Sequence, residues 1–150
     1  DFAEAIRAAE ENACHSKTLI VGALNLNPFE DGIVVASGLN AVMTRRLAAR
    51  GKRTVGSKKR PFFYNPMWRF FGDRGQCPPG TYYFRSSKDL CYFWNIFDQV
   101  LVRPDLMRAF GDRALRILDS DGATSFLNEN GVPDSRRFSD HLPIVFALRL

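Results

Sequence analysis

Cysteine is scarce in this chain of 150 residues: Cys14, Cys77 and Cys91 make an odd number and no two of them stand at CxxC spacing. Neither a disulfide framework nor a zinc ribbon is thereby suggested, and a reducing, cytoplasmic setting is expected. Long apolar runs are missing too. The longest, 18–26 and 142–150, fall far short of the roughly 20 residues that a membrane span requires, and no basic segment followed by an apolar stretch opens the chain. Histidine occurs only twice. His15 lies beside Cys14 with no other ligand type at metal spacing, so it reads as a solvent-facing or capping residue. No repeat, low-complexity segment or linker divides the sequence. It also lacks an initiator methionine: it begins at Asp1 inside a helical pattern and stops at Leu150 inside an apolar strand, which predicts a fragment whose N-terminal portion is missing.

What is present fits one globular domain. Hydrophobic residues make up 45%, aromatic residues 13% and charged residues 25%, enough to bury a core covering roughly two-thirds of the unfolded surface. Phe2, Ile6, Ala9 and Ala13 recur at helical spacing and predict an amphipathic helix over 2–13. A buried strand follows over 18–24, then a segment dense in turn formers over 25–32. Leu39, Val42, Met43 and Leu47 predict a second helix over 39–50, closed by Gly51. Residues 72–80 read as a surface loop, and 81–85, 95–102, 114–118 and 143–150 as strands, the third of these five strands in chain order being apolar on both faces except for Asp98 and ended by Pro104. Two helices can cover only one face of such a sheet. The other face is therefore expected to meet a second sheet, supplied by a missing part of the same polypeptide or by a copy of this chain.

Charge is uneven. Arg45, Arg46, Arg50, Lys52, Arg53, Lys58, Lys59 and Arg60 fall in a stretch with no acidic residue, and without those eight the formal net charge of +5 would drop to −3. Of the 19 aromatics, 13 lie between Phe62 and Phe97, immediately downstream. Two readings stand open. The cations track a phosphate backbone while Phe62, Phe63, Tyr64 and Trp68 stack bases, or the stretch is a solvated basic loop with the aromatics packed beneath it as core.

Polar groups stand where strands end at three places: Asn25 and Asn27, Asp98, and the triplet Ser139-Asp140-His141. An Asp inside an apolar strand needs a partner, because burying it ionised and alone is costly. His141 is the candidate partner, in an Asp-to-imidazole bond that fixes the tautomer and raises the basicity of the ring. A buried Asp capping a loop and a His filling a rim remain the plain alternative.

Three anchors in order, Ile20 to Phe29, Asn95 to Leu101 and Ser139 to Ile144, resemble the C-terminal half of the endonuclease/exonuclease/phosphatase superfamily, which includes deoxyribonuclease I-like enzymes. The resemblance covers essentially the whole chain. It implies an α/β (α+β) fold, half of a four-layer α/β/β/α sandwich with one sheet and outer helices, over residues 1–150. It also implies roles. Asn25 orients the scissile phosphate and stabilises its charge; Asp98 pairs with the catalytic His141; Asp140 contributes to divalent-metal binding, with Mg²⁺ or Mn²⁺ as cofactor. The reaction is metal-dependent hydrolysis of a phosphoester by an activated water.

Two departures qualify this. Where the family motif has an Asp after the glycine, this chain has Ala23, which can neither accept a proton nor bind metal. With Asn25 and Asn27-Pro28-Phe29 intact around it, the change reads as a deliberate inactivating substitution in preference to natural decay. The Asn, Glu and further His of the family's N-terminal half have no match. The expected function is a nuclease in an inactive form, with Asn27 and the eight cations from Arg45 to Arg60 as substrate-binding residues. A phosphatase or phosphodiesterase of a small metabolite or lipid headgroup, and a non-catalytic subunit that grips nucleic acid or protein, are the rivals. Expected partners are nucleic acid, the missing half and, less directly, a second copy.

Overall fold

The computed structural model describes residues 2–73 and 78–149; Cys77 and part of the expected 72–80 loop lie outside them. The protein is a mixed α/β chain with few helices. Its centre is a four-stranded sheet in the order β1-β8-β5-β2, built from β1 (Leu19–Ala23), β8 (Asp98–Val102), β5 (Phe63–Tyr64) and β2 (Ala41–Val42). β8 runs antiparallel to β1 and β5, whereas β2 and β5 are parallel. β9 (Phe110–Ile117) and β10 (Ile144–Leu148) form a second, antiparallel sheet with an irregularity between Val145 and Ala147. Two hairpins complete the inventory: β3 (Lys52–Val55) with β4 (Lys58–Pro61), and β6 (Tyr82–Phe84) with β7 (Phe93–Asn95).

Alternation along β8 divides the core. Val100 and Val102 face a cluster with Met67, Phe70, Phe110, Leu115 and Ile117, against which Ile144, Phe146 and Leu148 also pack. Leu101 points the other way, to Ala3, Ile20, Ile33, Leu39 and Phe63. The layers are thus helix, four-stranded sheet and two-stranded sheet. The expectation of a bare face that only an outside sheet could cover is corrected for β8: β9 and β10, from the same chain, cover it. They do so because the 110–117 segment is a longer strand than the sequence predicted, bringing Phe110 into the core beside Leu115. The cover thins at the edge strand β1, where Val21, directly opposite the fully buried Val100, is half exposed.

The first helix, α1 (Phe2–Ala13), forms where predicted but turns a different face inward. Ala3 is buried while Phe2 is 59% exposed. An ion pair sets the rotation: Glu10 accepts from Arg103 Nε at 2.7 Å and Nη2 at 2.9 Å, so the helix must present Ala3 and Glu10 to the sheet. Arg103 is itself buried, donates to the Phe62 carbonyl at 3.0 Å and stacks 3.7 Å from the Phe63 ring centroid.

The helix predicted over 39–50 is corrected to a short strand and one helical turn. Asn40 sits at φ 52°, which no continuous right-handed helix admits, and residues 41–42 pair with β5. Thr44 then caps α3 (Arg45–Ala48), its hydroxyl accepting the Leu47 N–H at 3.3 Å. Gly51 closes that turn as expected, at φ 80° with its N–H bonded to the Ala48 carbonyl. An equally short α2 (Asp31–Val34) follows the β1 loop. Among the described residues no helix is long and apolar enough to cross a membrane.

Breaking the Arg103–Glu10 pair from the arginine side leaves a largely buried carboxylate, 13% exposed, without its partner. Arg103→Met is expected to lower stability by about 3–5 kcal/mol, read from the guanidinium unfolding midpoint. A loss below about 1 kcal/mol would place the pair in the class of surface ion pairs instead.

Candidate active site

The site begins with a backbone problem. β1 and β8 end together: Ala23 pairs with Asp98, and the Leu24 N–H donates to the Phe97 carbonyl at 2.8 Å. The chain then reverses through Asn25, whose φ of 54° is one of the few left-handed conformations that Asn tolerates. Gly22, at φ 147°, occupies a region that side chains avoid, which is why this strand end carries glycine. Opposite residues of an antiparallel pair share a sheet face, so the Ala23 and Asp98 side chains are neighbours on the face that also carries Val100.

Asn27 holds the returning loop. It is buried, and its Nδ2 donates to Glu30 at 3.0 Å and to Asn95 Oδ1 at 2.9 Å, while its Oδ1 accepts the Ile96 N–H at 2.9 Å. Every polar atom of this side chain is spent inside the protein. The expectation that Asn27 binds substrate is corrected: it positions the loop that presents Asn25. A second buried amide pair, Asn65 Nδ2 to Gln99 Oε1 at 2.8 Å, ties β5 to β8, and Gln99 in turn donates to the Leu26 carbonyl. Phe29 clamps the loop from outside, with its ring 5.2 to 6.5 Å from those of Tyr92, Phe71 and Trp68.

On the other side, Thr81 does the equivalent work. Its buried hydroxyl accepts the N–H groups of Phe97 at 3.1 Å and Asp98 at 3.0 Å, and its carbonyl accepts the Leu142 N–H at 2.7 Å. One threonine thereby fixes the start of β8 and the approach to β10 relative to each other. Gly80 precedes it because a Cβ there would stand 2.7 Å from the Asn95 carbonyl oxygen. The result is the predicted contact: His141 Nδ1 lies 2.6 Å from Asp98 Oδ2. The side chains keep 27% and 18% of their exposure, so the pair sits at a rim open to solvent. Since an ionised carboxylate only accepts, the imidazole donates from Nδ1, leaving Nε2 as the free nitrogen. Tyr82 lies against the imidazole with centroids 4.8 Å apart and against Phe97 at 5.2 Å, limiting ring rotation. A cleft of about 400 Å³ opens beside the pair, walled by Phe126, Phe138, Ser139 and Pro143.

Ala23, Asn25, Asp98 and His141 therefore gather at one end of the central sheet, with exposed Asp140 next to His141 in the chain. The other expected site residues do not join them. β8 starts at Asp98 and reaches Val102, which pairs with Tyr64; the basic segment enters the sheet through Pro61 and Phe62, before Tyr64, and so at the opposite end, separated by about 13 Å of strand. Arg45 is engaged by the protein itself. Its guanidinium donates to Asp112 and to the carbonyls of Met107 and Phe110, and the bond to Asp112 raises its pKa further above the usual range. Phe62, Phe63 and Tyr64 are buried, so of the two readings of these three aromatics the core holds and base stacking falls. Arg46, Arg50, Lys52, Lys58 and Lys59 are exposed, and Arg53 is held at the root of its hairpin by Asn40 Oδ1 at 2.8 Å.

A divalent cation does not find a donor set in these residues. Among the described residues no three His, Cys, Asp or Glu side chains come together, the Asp98 carboxylate is engaged by His141, and Ala23 offers nothing. Asp140, exposed beside His141 in the chain, can contribute a carboxylate. His15, by contrast, accepts the Lys17 N–H at 3.2 Å in a tight turn, the capping role its sequence context predicts.

The Asp98 contact fixes a tautomer that can be read directly. In ¹⁵N-resolved NMR of the neutral ring, Nδ1 of His141 is expected to carry the proton, and Asp98→Asn is expected to shift the population towards the Nε2–H form. An Nε2–H ring in the unmodified protein would overturn the assignment. No protein-family model matches the chain, nor does any curated protein or solved structure, so the chemistry of this corner rests on its own geometry.

Proposed function

We propose that this corner binds a phosphoester and that the protein descends in design from a metal-dependent phosphodiesterase, a nuclease whose water-activating carboxylate is replaced by Ala23. The observation that carries the reading is the Asp98–His141 pair at 2.6 Å placed directly across the sheet from Ala23. Hydrolysis of a phosphodiester needs three things at one point: a donor to the phosphoryl oxygen, a group that moves a proton, and a group that aims and deprotonates water. Asn25, exposed at the turn, supplies the first. His141 supplies the second: as an imidazolium held at Nδ1 by Asp98, it would give its Nε2 proton to the leaving oxygen. The third would stand at Ala23, next to Asp98 on the same face.

In such a reaction the water oxygen forms a bond to phosphorus as the ester P–O bond breaks, one water proton goes to the carboxylate that position 23 lacks, and the leaving oxygen takes its proton from Nε2 of the His141 imidazolium. With a methyl group at position 23 the first proton has no acceptor. The chain as it stands is read as holding the phosphate without turning it over. Mg²⁺ or Mn²⁺ would offset charge on the phosphoryl oxygens, with Asp140 the residue that would help hold it. Because no three metal-ligating side chains come together here among the described residues, no step is assigned to the ion. The helix, sheet, sheet layering supports the larger reading of half of a four-layer α/β/β/α sandwich.

Ala23 equally favours a second reading, a non-catalytic subunit that keeps the scaffold for binding. One experiment separates the two. Ala23→Asp in the full-length protein, assayed with Mg²⁺ or Mn²⁺ on bis-p-nitrophenyl phosphate and on DNA and RNA, is expected to create turnover that the unmodified protein lacks, and His141→Ala in that background is expected to remove about 10²-fold or more of it. Turnover by the unmodified protein would overturn the role given to position 23, and silence of Ala23→Asp on all substrates would leave the binding subunit.

A further inference from the structure

The β3–β4 hairpin is the strongest charge feature of the molecule, and the phosphoester corner does not use it. From residue 32 to residue 72 the sequence contains no Asp or Glu. Within that span the hairpin's two four-residue strands carry Lys52, Arg53, Lys58, Lys59 and Arg60. Among the described residues the ion pairs are Arg45–Asp112, Arg103–Glu10 and His141–Asp98, so none of these five cations has a carboxylate partner.

Register makes the arrangement costly. Arg53 stands directly opposite Arg60, and Val55 opposite Lys58, so three cations share one face; Thr54 opposite Lys59 and Lys52 opposite Pro61 place two more on the other. Like charges directly opposed weaken a two-stranded ribbon, which is marginal in any case. The root of the ribbon is tied to the body: Arg53 donates to Asn40 Oδ1 and the Val34 carbonyl, and Asn40 Nδ2 donates to the carbonyls of Arg60 and Pro61. From Lys52 to Lys59 the ribbon stands in solvent, with Gly56 at φ 60° making its tight turn.

We propose that the β3–β4 hairpin is a binding element for duplex nucleic acid, contacting the phosphate backbone at the pole opposite the Asp98–His141 corner. Two features choose this polyanion. A two-stranded ribbon is the right width for the major groove, which is about 12 Å across. The ribbon presents cations on both faces and no aromatic ring, and Phe62, Phe63 and Tyr64, which follow it directly, are buried, so it can neutralise a double-stranded backbone but offers no platform for stacking unpaired bases. Val55 is its sole large apolar side chain, too little to anchor it in a bilayer. Binding here needs neither metal nor a working site. Its link to the proposed function, which it deepens, is that it names the phosphodiester as part of a nucleic acid.

The test is fluorescence anisotropy of labelled duplex DNA with the full-length protein in EDTA, titrated over salt. The affinity is expected to fall steeply with salt, and Lys52→Gln/Lys58→Gln/Lys59→Gln to reduce the log–log slope by about 2 to 3. The tip variant Lys58→Gln/Lys59→Gln, should the triple variant fail to fold, is expected to reduce it by about 1 to 2. Arg113→Gln/Arg116→Gln/Arg136→Gln removes the same charge from exposed positions elsewhere and is expected to leave the slope nearly unchanged. Equal losses in both sets would overturn the proposal, as would tighter binding to polyglutamate or to phosphatidylserine vesicles than to the duplex. Duplex binding without turnover by Ala23→Asp would remove the hydrolytic reading alone; turnover of bis-p-nitrophenyl phosphate without duplex binding would remove the hairpin proposal alone.

Discussion

An amide side chain, Asn27, is the constraint on which the rest of the candidate site depends. The Ile96 N–H, at the entry to the central strand, is buried where no ladder partner reaches it, and leaving it bare would cost about 1–3 kcal/mol. Asn27 satisfies it and returns its own Nδ2 to Asn95 and Glu30. The loop after β1 is therefore bound to the strand that carries Asp98 by bonds made in the absence of water. In that environment each bond is strong when made and expensive when lost, which is what makes a loop behave as part of a rigid frame.

The frame explains why the site is a pair and not a cluster. Thr81 fixes the first residues of β8 and the approach to β10 through three backbone groups, so the Asp98–His141 contact depends on main-chain geometry. Tyr82 then fills the space beside the imidazole. What the frame delivers is a single oriented proton-transfer group with an empty neighbour at Ala23.

Much of this was legible in the sequence, unevenly. Strands 18–24 and 95–102 announced themselves through β-branched residues and terminal breakers, and the Asp98–His141 pair through the cost of burying a lone carboxylate. The second of those strands is nonetheless two: Ile96 and Phe97 give their N–H groups to Asn27 and Thr81, and the polar signal for it lay in Asn95 and Gln99, which break the apolar run as Asp98 does. The 39–50 helix failed for a different reason. Its apolar spacing was helical, but Asn40 adopts a left-handed conformation and donates from Nδ2 to the carbonyls of Arg60 and Pro61, contacts remote in sequence that no local period encodes. The inward face of α1 was likewise decided by a partner 93 residues away, Arg103.

Burial shows how the two ends of the sheet differ in kind. At the Val102 end, Arg103 is 3% exposed and its charge is closed off by Glu10, Phe62 and Phe63, so that end is a structural clamp beneath the basic hairpin. At the Asp98 end, the ion-pairing partners keep 18% and 27% of their exposure. A fully buried Asp–His pair would be shielded from any substrate, and a fully exposed one would lose its orientation to competing water. The half-open rim satisfies both demands: the carboxylate faces inward to grip Nδ1, and the opposite nitrogen of the same ring is left to whatever enters the cleft between Phe126 and Phe138. Closing off one charge at one end and leaving the other accessible at its rim makes one sheet of four strands a sealed brace at one end and an open rim at the other.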